Sequence, residues 1–291
     1  MPVVATRFER RMRGGAQAHL LACSDGRFYV TKFTNNPQHR RILVNEWVST
    51  ILLKYLGVLA PEARVVELTP EFLAAEPEVC LQLGGGKHPV PPGWHYGSQY
   101  PGDPGSEAVY DFVPDVMLEQ VANLDQFAGA LVFDKWVANS DARQAIFFRR
   151  RIKAWLPEAD AAPQQKGFIA QMIDHGYAFD GPNWGFLDAP MAGLYFRSLV
   201  YRRLDGPGRL EPWLARAASC PESIFDEILR TTPRRWIEGE EAEFERLITQ
   251  LHARRSRVAD LVVASARAKP DVFPGLSSRP APPPISVRMP R

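Results

Sequence analysis

Cysteine is scarce in this 291-residue chain, with three residues at Cys23, Cys80 and Cys220. They are far apart, odd in number and without paired spacing. That pattern excludes a disulfide framework and a cysteine metal knuckle, and it points to core thiols in a reducing compartment. The six histidines show no zinc-ligand spacing either. Long apolar runs are missing: no stretch approaches the roughly 20 uninterrupted residues that span a bilayer. Residues 1–13 are studded with arginine and lack the apolar core of a signal peptide. Excess charge of one sign is absent as well, since 35 Lys+Arg against 33 Asp+Glu leaves +2. That balance gives no electrostatic case for nucleic acid or an anionic membrane as the main partner. No Gly-X-Ser-X-Gly elbow and no internal repeat is present. The expectation is a soluble cytoplasmic protein, and 45% hydrophobic residues are ample for the core of one large domain or two lobes.

The order of elements carries more information. Residues 18–22 and 28–33 flank Ser24-Asp25-Gly26, which predicts strand, turn, strand. Leu43, Val44, Trp47, Val48, Ile51 and Leu52 recur at helical spacing and predict a helix over 38–56, closed by Gly57. Residues 63–68 and 79–83 read as further strands. Over 84–106, 12 of 23 residues are Gly or Pro, a density of breakers that predicts a long loop without a core element. Residues 109–112 form a short strand-like link. Asn123 and Gln126 suit a capping box for a helix running through Trp136. Strands at 145–149 and 168–173 follow, then helices at 189–204, 222–230 and 240–264. Between 269 and 291, 7 of 23 residues are Pro, which predicts a disordered tail.

Four charged residues stand where packing alone would prefer others. Lys32 shares a strand face with Phe28 and Val30, and Glu46 interrupts the apolar 44–48 stretch of the long helix. A strand lysine followed by a carboxylate on the next helix is a pairing that phosphate chemistry uses. Asp141 follows the second long helix, and Asp174 ends an apolar strand just before His175-Gly176. Two acids on separate loops suit Mg2+, which keeps several waters and takes its other ligands from substrate phosphates. Each residue also has a plainer reading: an edge-strand lysine snorkelling to water, a solvated helix acid, and two turn aspartates. His175 reads best as a packed histidine bonded to the backbone.

The sequence of pieces resembles the HipA-like kinases, a bacterial branch of the protein-kinase-like superfamily. The matching segments are Gly14-Gly15-Ala16-Gln17-Ala18-His19, Tyr29-Val30-Thr31-Lys32-Phe33, Asn45-Glu46, Phe133-Asp134-Lys135-Trp136-Val137-Ala138-Asn139-Ser140-Asp141 and Ile173-Asp174-His175-Gly176-Tyr177-Ala178-Phe179. The resemblance covers roughly residues 10–260 and implies an α+β, two-lobed protein-kinase-like fold. Its sheet-rich N-lobe would span 1–108 and its mainly helical C-lobe 109–268, before the tail at 269–291. It further implies an ATP-dependent phosphotransferase, with Mg2+ as cofactor and a protein Ser or Thr, possibly its own, as acceptor. Lys32 would contact the α- and β-phosphates, fixed by Glu46. Gly14, Gly15, Ala16 and Gln17 would cover the phosphates through backbone N–H groups. Asp141 would take the acceptor proton, Asp174 would hold the metal, and 109–112 would be the adenine hinge, with Tyr110 and Phe112 as nucleotide contacts. The chain departs from the family pattern five residues after Asp141, where a metal-binding Asn is expected and Ile146 stands. Gln144 is the nearby carbonyl donor that could replace it, and Arg143 is a candidate phosphate contact unless it simply pairs with a surface acid. The irregular metal loop keeps open a second reading, a nucleotide-binding pseudokinase or module without turnover.

Overall fold

The computed structural model describes residues 1–277. Its N-terminal part contains β1 (Val3–Arg11), β2 (His19–Cys23), β3 (Phe28–Lys32), α1 (Arg41–Leu56), β4 (Ala63–Leu68), α2 (Pro70–Ala75), β5 (Cys80–Leu83), β6 (Gly86–Pro89) and β7 (Gly93–Gln99). Five strands close into a barrel in the order β1-β2-β3-β7-β4, while β5 and β6 form a separate hairpin. Neighbours in the barrel run antiparallel except β1 and β4, which pair in parallel with Val3 opposite Val66. Leu21, Tyr29, Val66 and Leu68 fill its interior.

Three of these strands, β1, β6 and β7, depart from the sequence expectation. In β1 the charges of Arg7, Glu9, Arg10 and Arg11 mask the strand pattern. Val3 and Ala5 are nonetheless buried, and two register shifts against β2 leave the arginines exposed. β6 and β7 both lie inside the segment expected to be a loop, β6 as an exposed hairpin strand against β5 and β7 as a barrel strand. There a Cβ on Gly97 would fall 2.4 Å from Val66 Cγ2 and 3.3 Å from Tyr29 Cβ, so the missing side chain is what lets β7 fit between β3 and β4. Ladder pairing on both edges of β7 outweighs the local preference of its residues.

The C-terminal part contains β8 (Val109–Tyr110), α3 (Asp115–Leu118), α4 (Gln126–Trp136), β9 (Gln144–Arg151), α5 (Ile152–Trp155), β10 (Lys166–Ile173), α6 (Glu211–Ala218), α7 (Glu222–Thr231), α8 (Arg234–Ile237), α9 (Glu241–Arg254), α10 (Val258–Ala268) and α11 (Pro274–Ser277). β8, β9 and β10 make an antiparallel three-stranded sheet. α1 joins the two parts. It is buried on nearly every side, including the polar Asn45 and Glu46, and ends as expected at Gly57 with φ 73°. α1, α4 and the C-terminal helices share one large apolar cluster. Among the described residues no helix is long and apolar enough to cross a membrane.

Several expected elements change form. The helix expected at 189–204 is absent, because Pro190 and a left-handed Gly193 interrupt it and leave only a 3-10 turn at Ser198–Tyr201. The helix expected over 240–264 is two helices, α9 and α10, split by a 3-10 turn at Arg255–Arg257. Asn123 and Gln126 do not cap α4. Their side chains bond each other at 2.9 Å and reach out to the backbones of Ala170 and Leu59. The tail is structured over its first residues, where Phe273 is fully buried with its ring 4.9 Å from that of Tyr201. The rest of that tail, 278–291, lies outside the described residues.

Candidate active site

Lys32 is the last residue of β3, and its strand face turns it, with Val30, into the space between the two parts of the molecule. Its Nζ donates to Glu46 Oε1 and, at 2.8 Å, to Asp174 Oδ1. Glu46 is not on a solvated helix face. It is almost wholly buried, and the same oxygen accepts the His175 N–H at 3.0 Å. Burial works against the Lys32 ammonium, but the Asp174 and Glu46 carboxylates overcome this and hold its pKa above the ordinary value. Lys32 in turn pulls Asp174 below the usual carboxylate range. Glu46 is pushed up, by burial first and with Asp174 adding to it.

Asp174 follows β10 in a left-handed conformation, φ 56°, which is rare outside glycine and redirects the side chain at the strand's end. The register of β9 against β10 places Gln144 opposite Ile173. Gln144 Nε2 therefore reaches Asp174 Oδ2 at 3.2 Å, which leaves the Gln144 carbonyl oxygen as its free donor atom.

The loop after α4 is built around Asp134, a residue the sequence reading did not single out. The Asp134 carboxylate accepts bonds from Arg143 Nε and Asn139 Nδ2, both at 2.9 Å, and a further bond from Arg143 Nη2 makes the arginine contact bidentate. Arg143 Nη1 continues to Ile173 O at 2.8 Å and His175 Nδ1 at 2.9 Å. The guanidinium is 1% exposed, so the expectation of a phosphate contact is corrected: Arg143 ties the two acidic loops together from behind. His175 is fully buried beside it. Burial, then the Arg143 charge, holds its pKa well below the ordinary value, so the ring is neutral and packed. Asp141 projects from this braced loop. Its N–H donates to Asn139 Oδ1 at 3.2 Å, its carbonyl accepts from Gly193 N at 3.0 Å, and Oδ1 accepts from Ala142 N at 2.7 Å.

A cleft of about 760 Å3 unites these pieces. Gly14, Gly15 and Ala16 line one wall, Lys32 and Glu46 the back, and Asp141, Gln144 and Asp174 the other wall. Val30, Ile146 and Ile173 supply apolar surface. Gly14 matters at this point, since its φ of 116° is a conformation that residues with a Cβ rarely adopt, whereas a Cβ on Gly15 would meet only the movable end of the Gln38 side chain. Three expected contacts do not line the cleft. Gln17 is turned to β5, where its amide exchanges bonds of 2.8 and 2.7 Å with the Gln82 backbone. Tyr110 and Phe112 face outward, 45% and 56% exposed, against Phe168 and Arg197. Strand alternation explains this: Val109 and Asp111 are the residues of that link that face the cleft. Sequence reasoning also missed Asn45 and the cleft-lining Arg10, Arg13 and Gln38. Only the quoted Asn45-Glu46 pair hinted at the first of these.

Among the described residues no group of three or more His, Cys, Asp or Glu is arranged to hold a metal unaided. The donors present are two aspartates and one amide oxygen, all hard oxygen ligands. That set suits a cation that shares its shell with water and phosphate, and Mg2+ fits it.

A buried lysine held by carboxylates, facing two loop acids beneath a glycine-containing loop, has the working parts of a phosphotransferase of the kinase class. The chain belongs to the HipA-like kinase family, whose profile matches residues 4–261. Among solved structures it is similar to the Golgi casein kinase with Mn/ADP bound, at 11% identity and a TM-score of 0.45, over 92% of this chain and 73% of that one. It is also similar to the Helicobacter pylori proinflammatory kinase CtkA, at 14% identity and a TM-score of 0.48, over 90% of this chain and 95% of that one. No curated protein matches the chain.

Proposed function

We propose that this kinase moves the γ-phosphoryl group of ATP to a Ser or Thr hydroxyl of a protein. The catalytic cleft lies between an N-lobe at 1–108 and a C-lobe at 109–268, as in the protein-kinase-like fold. The observation that carries this reading is the convergence of Lys32, Glu46, Asp141, Gln144 and Asp174 on one cleft. Adenine lies on the apolar surface of Val30, Ile146 and Ile173, and the backbone N–H groups of 14–16 cover the phosphates. Lys32, preset by Glu46, meets the α- and β-phosphates. Asp141 orients the acceptor hydroxyl and receives its proton on Oδ2, because Oδ1 is engaged by Ala142 N–H. Asp174 and the Gln144 carbonyl oxygen would hold Mg2+, which when bound neutralises charge on the transferring group.

Ile146, an apolar residue in the position of the family's metal-binding Asn, favours a second reading: a nucleotide-binding module without turnover. Intact-mass analysis after incubation with Mg–ATP and a Ser/Thr peptide pool separates the two, comparing wild type with Asp141→Asn and Asp174→Asn. Phosphate added to the chain or to peptides by wild type alone supports the kinase. Thermal stabilisation by Mg–ATP without any phosphate transfer supports the module. Nucleotide responses that neither substitution changes refute the roles given to both acids.

A further inference from the structure

Next to Glu46 on α1 lies a fully buried residue that the chemistry above does not use. Asn45 Nδ2 donates to Gly176 O at 2.7 Å and to Gly181 O at 3.0 Å, and Asn45 Oδ1 accepts from Trp184 Nε1 at 2.9 Å. The orientation of the amide follows from its partners, since the two carbonyls can only accept and the indole can only donate. Every polar atom of the side chain is therefore engaged with the segment that begins at Asp174. That segment holds left-handed backbone at the non-glycine residues Asp174, Phe179, Asp180 and Trp184. Such conformations persist only where the surroundings over-determine them. Asn45 does this across 176–184, while its neighbour Glu46 fixes the His175 N–H. Two consecutive α1 side chains thus set the register between the Lys32–Glu46 pair and the Asp174 carboxylate.

We infer that Asn45 is a positioning residue for the metal-holding carboxylate, clamping the segment after Asp174 to α1. This rests on the reading of Asp174 as the Mg2+ ligand. Asn45 does not line the cleft, so it acts on the coupling between metal and nucleotide and not on nucleotide binding itself. A role confined to stability would lower the unfolding midpoint and leave that coupling unchanged.

The test measures the affinity of a fluorescent ATP analogue twice for each protein, in excess Mg2+ and in EDTA. The ratio of the two affinities is the Mg2+ enhancement. For Asn45→Ala the affinity in EDTA is expected to stay within about twofold of wild type while the enhancement falls about tenfold, a usual size for a coupling between sites. Asn45→Asp, equal in shape but without donors for the two carbonyls, loses at least as much. Trp184→Phe deletes one donor while keeping an aromatic, though smaller, ring, so it shows a smaller loss in the same direction and carries the test if the Asn45 variants fail to fold. Folded variants with the wild-type enhancement overturn the inference, as does an affinity in EDTA that falls as far as the affinity in Mg2+. Asp174→Asn separates the two levels. If it abolishes the enhancement and the Asn45 and Trp184 variants do not lower it, only the clamp is wrong. If it keeps the enhancement, or wild type has none, the metal role of Asp174 fails and the clamp with it.

Discussion

Replacing Lys32 by Met removes the ammonium and keeps an unbranched side chain of similar length. In the wild type Lys32 Nζ bridges Glu46 and Asp174, whose side chains are 3% and 40% exposed. The two carboxylates lose unequally. Asp174 can turn to water, and a half-exposed pair contributes little. Glu46 cannot, and stranding one buried charge costs about 3–5 kcal/mol. The deficit also has a pH signature. Burial already raises the Glu46 pKa, with the Lys32 charge opposing the rise, so in the variant the folded-state pKa climbs further. A group whose folded pKa lies above its unfolded value contributes stability below the unfolded pKa and loses it as pH rises through the folded pKa. The deficit of Lys32→Met is therefore largest at pH 8 and shrinks towards pH 5.5. Within the window where only folded Glu46 binds a proton, the change is about 1.4 kcal/mol per pH unit. Lys32 itself stays charged in both states over this range and adds no slope. Urea unfolding followed by tryptophan fluorescence, at both pH values, gives the numbers. The double variant Lys32→Met with Glu46→Gln regains most of the loss, since removing both partners of a buried pair is close to neutral. A deficit below about 1 kcal/mol at pH 8 would refute the reasoning, and so would a deficit equal at the two pH values.

Two further outcomes follow from the same geometry. His95 is buried, accepts the Thr34 N–H on Nδ1 at 3.1 Å and bonds Pro91 O through Nε2 at 3.0 Å, and burial lowers its pKa to about 4. Between that value and the unfolded 6.5 the unfolded chain binds more protons, so stability falls as pH falls. The loss is about 2 kcal/mol from this residue by pH 5, and His19, lowered in the same direction by burial, adds to it. Urea midpoints at pH 7 and pH 5 measure the slope, and His95→Gln should flatten it; an unchanged slope rejects the assignment. Tyr110→Ala and Phe112→Ala, which remove side chains facing away from the cleft, leave ATP-analogue affinity within about twofold of wild type. A loss beyond about tenfold, or 1.4 kcal/mol, would mean that these rings and not Val109 and Asp111 face the nucleotide cleft.

What the sequence made legible was local. The 41–56 helix could be read because its apolar spacing and its Gly57 terminus are written within twenty residues. Lys32, Glu46 and Asp174 stood out because each breaks or ends an apolar pattern, and Asp141 because it directly follows the second long helix. β7 could not be read, because the advantage of Gly97 exists only once Val66 and Tyr29 lie on either side of it. The expected helix at 189–204 failed because Pro190 and the left-handed Gly193 interrupt it, and the backbone around Gly193 bonds to the Asp141 loop instead.

The hardest distinction was between two cations of similar sequence character. Lys32 and Arg143 are both buried, both pair with a carboxylate, and both contact the loop that carries Asp174. Spacing along the chain treats them alike, and reading Arg143 as a phosphate contact follows naturally from that. What separates them is the exposure of the partner. Asp174, beside Lys32, keeps 40% of its side chain open to the cleft, whereas Asp134, beside Arg143, keeps none. A cation can serve a ligand when its protein partner also reaches that ligand, because charge is then shared when the ligand arrives and no buried acid is stranded. Arg143 could turn to a phosphate only by uncovering Asp134, so its guanidinium is committed to the scaffold. Lys32 can share its charge without leaving Glu46. That asymmetry is a property of the assembled pairs, and it arises only when α4, β10 and α1 have come together.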